Sequence, residues 1–215
     1  MAKNMNVASK KAMKTKKLDS SSEDFCAGVD IKDYSKCSGC TNWDENLTGC
    51  SICKRTYHDN CHVPYLSFIM TNSSKTWKCT MCIDIEHVSK VMKKGTSDPD
   101  KKTLNEYELK MAARILLELL CDGINSYPFM ECPSPIIHPD YYQVICLPVS
   151  LNSVKRKLLS KIHYYTSFAD VIKDIKRIYS NYVLYYTEND PLYFKVQEQE
   201  KKLNEMLSKW VPQYK

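Results

Sequence analysis

Apolar positions recur at three- and four-residue steps through the second half of the chain. Leu109, Ala112, Ala113, Leu116, Leu117 and Leu120 form one stripe, the spacing of a helix that buries a single face. A second stripe, Leu151, Val154, Leu158 and Ile162, follows Ser150, whose hydroxyl suits an N-cap. A third runs from Phe168 through Val171, Ile172, Ile175 and Ile178 to Tyr179 and Tyr182. It opens at Ser167, with Asp170 three residues on as an approximate capping box. The last opens at Asp190-Pro191, a cap followed by a proline whose missing N–H costs nothing there. Its face is Leu192, Val196, Leu203, Met206, Leu207 and Trp210. Between the first and second stripes Pro128, Pro133, Pro135 and Pro139 exclude a regular helix and predict a long, stiff loop. Four amphipathic helices can cover one another's apolar faces, so residues 104–215 are expected to form an all-α four-helix bundle.

The first half lacks this periodicity. Residues 1–24 are polar, with Lys3, Lys10, Lys11, Lys14, Lys16 and Lys17 preceding any acid, and are expected as a disordered basic tail. The run from Lys10 to Lys17 has the composition of an import signal or a phosphate-binding arm, and equally of a solvated lead-in. Ser89 to Thr103 contains Gly95, Pro99 and five lysines and reads as a linker. The expected organisation is therefore a tail over 1–24, a small domain over 25–86, a linker over 87–103 and the bundle over 104–215.

Composition adds three constraints. With 43% hydrophobic and 26% charged residues, most of the chain should be globular. No run approaches the roughly 18–20 apolar residues that span a bilayer, and the first twenty residues lack the apolar core of a secretory signal. A reducing intracellular compartment without membrane contact is the expectation. The net charge of +6 is compatible with nucleic acid nearby and makes the basic tail and linker the candidate DNA contacts.

In such a compartment clustered cysteines point to metal rather than disulfides. Eight of the 11 cysteines lie between Cys26 and Cys82. The spacing reads Cys37-x2-Cys40, nine residues, Cys50-x2-Cys53, four residues, His58, two residues, Cys61, seventeen residues, Cys79-x2-Cys82. Each Cys-x2-Cys turn brings two thiolates to one tetrahedral ion, and eight ligands satisfy two zinc ions completely. Both zinc ions would be structural, with no open position for an activated water. A segment this short cannot bury enough apolar surface to fold unaided, so zinc would stand in for a core. Cys26 falls outside the pattern and is expected as a free thiol, and His62, beside a ligand, as a surface residue.

The order of four cysteines, one histidine and three cysteines, with Trp77 two residues before Cys79, resembles the PHD finger. That resemblance implies interleaved pairing, with Cys37, Cys40, His58 and Cys61 on one zinc and Cys50, Cys53, Cys79 and Cys82 on the other. The second half resembles a bromodomain through Tyr127-Pro128-Phe129, Pro139-Asp140-Tyr141-Tyr142, Pro148-Val149-Ser150-Leu151 and Tyr179-Ser180-Asn181. Together with Cys61-His62-Val63-Pro64, the tandem over about residues 37–211 looks most like the C-terminal region of the tripartite-motif transcriptional intermediary factors. The implied fold is a small zinc-stabilised α+β PHD finger followed by an all-α, bromodomain-like bundle.

The same resemblance implies a nuclear chromatin reader that is not an enzyme. Fingers of this kind add a histone H3 tail to the strand before the third ligand, here Asn46-Leu47-Thr48-Gly49, with Asp44 and Glu45 placed for an unmodified lysine ammonium. The position of the family's cage tryptophan holds Thr56, while Trp43 offers a displaced aromatic wall. In the bundle, Phe129 would be the shelf of the acetyl-lysine slot, Tyr141 its water-binding tyrosine, Leu192 its gatekeeper and Tyr186 would stand where the asparagine belongs. Tyrosine lacks the amide's donor–acceptor pair, so binding of acetylated histone is expected to be impaired unless Asn189 substitutes. Ser134 stands where the slot has an apolar wall, and Tyr182, Tyr185 and Tyr193 are expected as core or rim aromatics. Two other functions fit the motifs: a ubiquitin- or SUMO-ligase module that recruits a conjugating enzyme, and a nucleic-acid-binding or scaffold module.

Overall fold

A computed structural model describes residues 36–40, 42, 46–69, 76–94 and 102–215. The chain divides into two units, Met1–Ile31 and Lys32–Lys215, and all described residues belong to the second. The basic tail, Cys26, Trp43, Asp44, Glu45 and residues 95–101 lie outside the described residues.

The finger is built on little regular structure. Strands β1 (Thr48–Gly49) and β2 (Thr56–Tyr57) pair antiparallel, Thr48 opposite Tyr57. A single turn, α1 (Leu66–Ile69), follows. Its apolar interior is a handful of side chains: Tyr57, Val63, Leu66 and Trp77 are buried. His62 is buried with them, contrary to its expected place at the surface. Its Nε2 accepts the Thr80 amide at 3.0 Å, its Nδ1 lies 2.7 Å from the Pro64 carbonyl, and its ring meets Tyr57 and Trp77 edge to face at 5.1 Å each. Burial drives its pKa down to about 4, so it is a neutral core residue satisfied on both nitrogens.

The segment read as the start of a linker is a helix, α2 (Ile85–Lys94). Ile85, Val88 and Met92 line the face that meets the core while the lysines stay in water, and Ser89 Oγ donates to the Trp210 carbonyl. This stripe is too short to separate from a polar linker by periodicity alone.

The bundle consists of α3 (Glu106–Leu120), α5 (Leu151–Leu158), α6 (Phe168–Tyr185) and α7 (Pro191–Trp210), with the short α4 (Tyr141–Val144) in the proline-rich connection. Its helices start where side chains satisfy the free backbone N–H groups. Asn105 and Glu108 form a capping box, Ser150 accepts from the Ser153 amide, Ser167 from the Asp170 amide and Asp190 from the Leu192 amide. Met111, Ile115, Leu116, Leu119, Leu151, Val154, Ile175, Ile178, Leu203 and Leu207 are fully buried. Each contributes on the order of 1.5–3 kcal/mol relative to exposure.

Two members of the expected stripes face outward. Leu109 is 40% exposed, and Ile162 is 75% exposed because α5 ends at Leu158 and the chain turns at His163, which sits at φ 54°. No helix among the described residues is long and apolar enough to cross a membrane.

Finger and bundle pack within one unit. The Arg114 guanidinium of α3 donates to the Met81 carbonyl at 2.5 Å and lies over the Trp210 ring. Lys155 of α5 donates to the Asn60 carbonyl at 2.7 Å, beside the candidate ligand Cys61.

Candidate metal centres and an aromatic cleft

The two turns Cys37–Cys40 and Cys50–Cys53 and the later ligands fold into two groups, Cys37, Cys40, His58 and Cys61, and Cys50, Cys53, Cys79 and Cys82. Within each group every ligand atom lies within 4.8 Å of every other, in the interleaved arrangement the resemblance implies. Cys53 and Cys79 Sγ are 3.5 Å apart, Cys79 and Cys82 3.7 Å, and Cys50 and Cys82 3.9 Å. In the first group His58 Nδ1 lies 3.4 Å from Cys40 Sγ and 3.6 Å from Cys61 Sγ. A tetrahedron with ligands about 2.3 Å from a central zinc has edges of roughly 3.8 Å. The spacing fits that tetrahedron and is far too long for disulfides.

The electrostatics point the same way. The hydrogen bond from Cys61 and the amides of His58, Gly39 and Cys40 bring Cys37 down to about 4. Burial opposes the charge on Cys50, but the amides of Cys53, Cys79 and Ile52 outweigh it and lower that thiol to about 6. The hydrogen bond with Cys37, then burial, push Cys61 far up, and burial with its neighbours pushes Cys79 up and Cys82 to about 11. Without a cation, then, the thiols cannot all ionise, because thiolates this close repel one another. A divalent ion removes that conflict, and three thiolates with an imidazole in the first group and four thiolates in the second are donor sets that suit zinc.

Gly39 completes the first turn. A Cβ at that position would stand 2.6 Å from the Cys61 carbonyl oxygen, so the turn closes against its fellow ligand only with glycine.

Of the expected tail-binding residues, Asp44 and Glu45 lie outside the described residues, Asn46 is exposed, and Leu47 and Thr48 are half-buried beside or in β1. Thr56 presents no aromatic face, and its hydroxyl is spent on the Lys36 carbonyl at 2.7 Å.

In the bundle, the proline-rich connection and the end of α6 enclose a cleft of about 440 Å³. Of the four residues expected there, Tyr186 and Leu192 line it and Phe129 and Tyr141 do not. Both of the latter are fully buried, Phe129 edge to face behind Tyr182 at 4.7 Å and Tyr141 against Tyr185 at 5.0 Å. Tyr186 directly follows α6 and stacks on Tyr182, with centroids 5.4 Å apart and planes 25° apart. Ser134 lines the cleft, whereas Asn189 is exposed outside it. Asn181, still helical, ties α6 to the connection by donating to the Leu147 carbonyl at 2.9 Å, and the Tyr182 hydroxyl donates to that of Pro128.

From the sequence, Tyr185 is expected only among core or rim aromatics and Asp140 only within the Pro139-Asp140-Tyr141-Tyr142 motif, and His138 is passed over. The Tyr185 hydroxyl donates to Asp140 Oδ1 at 2.8 Å and lies 3.3 Å from His138 Nδ1, and the His138 and Tyr185 rings both meet Tyr186 near right angles. His138 and Tyr185 carry no local signal beyond aromatic density in a chain of 15 tyrosines. Tyr193 is half-buried and is not among the residues that line the cleft.

Residues 112–198 match the bromodomain family model. The chain is 31% identical to E3 ubiquitin-protein ligase TRIM33 of Danio rerio over 156 residues, which cover 69% of this chain and 13% of that protein. It is 32% identical to TRIM33 of Mus musculus over 151 residues, covering 67% and 13%. With tripartite motif-containing protein 66 of Homo sapiens it shares 30% identity over 165 residues, covering 72% and 11%. The chain thus spans little more than a tenth of the length of these relatives.

Proposed function

From a PHD-type finger joined to a bromodomain-like bundle, a tandem resembling the C-terminal region of the tripartite-motif transcriptional intermediary factors, we propose a nuclear chromatin-reading module without catalytic activity of its own. Its finger holds two structural zinc ions and takes the N-terminal tail of histone H3 with its lysine unmodified. The bundle buttresses the finger and holds acetyl-lysine weakly.

The observation that carries this reading is the edge of β1. Among the described residues the sheet has two strands, so β1 pairs with β2 on one side and offers its other edge to an added strand. The preference for an unmodified lysine is supported by Thr56, which provides no face for a methylated cation. Weak acetyl-lysine binding is supported by Tyr186, whose single phenolic oxygen replaces the separate NH2 donor and carbonyl acceptor of an amide. A polar group left unpaired in the cleft costs about 1–3 kcal/mol, a large share of a weak interaction. Arg114 and Lys155, bonded to finger carbonyls, support the buttressing role.

Titrating the isotopically labelled chain with H3 N-terminal peptides tests this. Unmodified peptide should shift the amides of Leu47 to Gly49, and lysine methylation should weaken the response. No response there, or a preference for the methylated peptide, would sink it. A second reading, recruitment of a ubiquitin-conjugating enzyme, draws on the relatives named as E3 ubiquitin-protein ligase TRIM33. Ubiquitin transfer by this chain in a reconstituted conjugation assay would favour that alternative.

A further inference from the structure

We propose that the cleft beside Tyr186 is a site for a lysine side chain that keeps its positive charge, as an ammonium or a methylated ammonium, rather than for a neutral acetylated one. The inference deepens the chromatin-reader reading and rests on it.

The wall chemistry is the first argument. The half-buried Tyr186 ring, stacked on Tyr182 and flanked by Tyr127 and His138, gives the cleft aromatic faces, and an aromatic face carries negative potential that attracts cations. An acetyl group gains nothing from that potential and needs a directional donor, for which only the Tyr186 hydroxyl stands at the asparagine position.

Charge around the mouth is the second. Glu131 lines the cleft, and no lysine or arginine does so among the described residues. Asp140 and Asp190 flank Tyr186: burial raises its phenol, and the charges of these two carboxylates raise it further. Asp140 holds the Tyr185 hydroxyl and Asp190 caps α7, so both are fixed in place. The facing cations are Arg156, which is paired with Glu131 at 3.3 Å, and Lys195, which is turned to the Ile124 carbonyl at 3.2 Å. Three carboxylates against these two cations, one of them paired with Glu131, leave one net negative charge at the opening. A neutral ligand is indifferent to that charge, and a cation is drawn in.

Size is the third. A volume of about 440 Å³ open to solvent admits a lysine side chain with or without methyl groups, and the cation need not be fully dehydrated.

The test uses the whole 215-residue chain, labelled for NMR, and three short glycine-serine peptides with one central lysine, unmodified, trimethylated or acetylated. At low salt the two charged peptides should shift amides of residues 129–138 and 182–192, with the acetylated peptide about tenfold weaker. Glu131→Gln and Asp140→Asn should each weaken the charged peptides several-fold and leave the acetylated one unchanged. Tyr186→Asn should lower the response to the charged peptides and raise that to the acetylated one, a gain that a misfolded variant could not produce. Equal or tighter binding of the acetylated peptide to the unaltered chain would overturn the proposal, as would silence of the cleft toward all three. The H3 N-terminal peptide, followed in the same sample at Leu47 to Gly49, separates the two failures. A responsive finger beside a silent cleft sinks this inference alone, and a silent finger sinks the reader reading itself.

Discussion

Replacing Gly39 by alanine puts a single methyl group into the tightest backbone approach of the finger. The added Cβ would lie 2.6 Å from the Cys61 carbonyl oxygen and 3.0 Å from Cys61 Cβ. Carbon–oxygen contacts settle at about 3.3 Å, so the knuckle and Cys61 must part by about 0.7 Å. Flexible side chains could absorb that, but here the obstacle is the backbone of a ligand. Metal–ligand distances tolerate only about 0.2 Å. Overpacking of this kind costs about 1–3 kcal/mol, which predicts roughly 5- to 150-fold weaker zinc binding at the first centre. Competition against a chromophoric chelator should resolve one weakened ion and one unchanged ion per chain. Gly49→Ala is the control, because its Cβ would meet nothing nearer than Thr56 Cγ2 at 3.9 Å. Unaltered affinity in Gly39→Ala, or equal loss in Gly49→Ala, would refute the reasoning.

Removing zinc with a strong chelator should collapse the amide dispersion of residues 46–69 and 76–82 while the resonances of α6 and α7 persist, since only the bundle has a core of its own; collapse of both together would contradict this. Ile115→Ala and Leu203→Ala, at fully buried positions, should each cost about 2–5 kcal/mol in denaturant unfolding. Ser167→Ala removes the cap of α6 and should cost about 1 kcal/mol. Asp170, held below its ordinary value chiefly by the Ser167 hydroxyl, binds its proton less readily folded than unfolded, so its contribution is present above the ordinary carboxylate pKa of about 4 and is lost as pH falls through the depressed folded value. The penalty of Asp170→Asn should therefore shrink on acidification, and a constant penalty down to the acid transition would count against the cap.

The amino-acid sequence by itself determined what depends on near neighbours. Helix starts at Ser150, Ser167 and Asp190 follow from side chains that reach amides two or three residues on, and buried stripes follow from a fixed helical period. The eight candidate ligands were legible for the same reason, since two-residue spacers are a property of local turns. What the tertiary structure decided is what depends on docking. His62 is buried because Tyr57, Trp77 and Thr80 close around it from other parts of the finger. Residues 85–94 are helical because Val88 and Ser89 find the bundle to pack against, whereas alone that lysine-rich stretch reads as a linker. Leu109 and Ile162 stay in water although their spacing suits a buried face. Phe129 and Tyr141 lie beneath the cleft rather than in it because α6 and the proline-rich connection meet above them. Burial is set by which surfaces meet across long separations along the chain, and no local period encodes that.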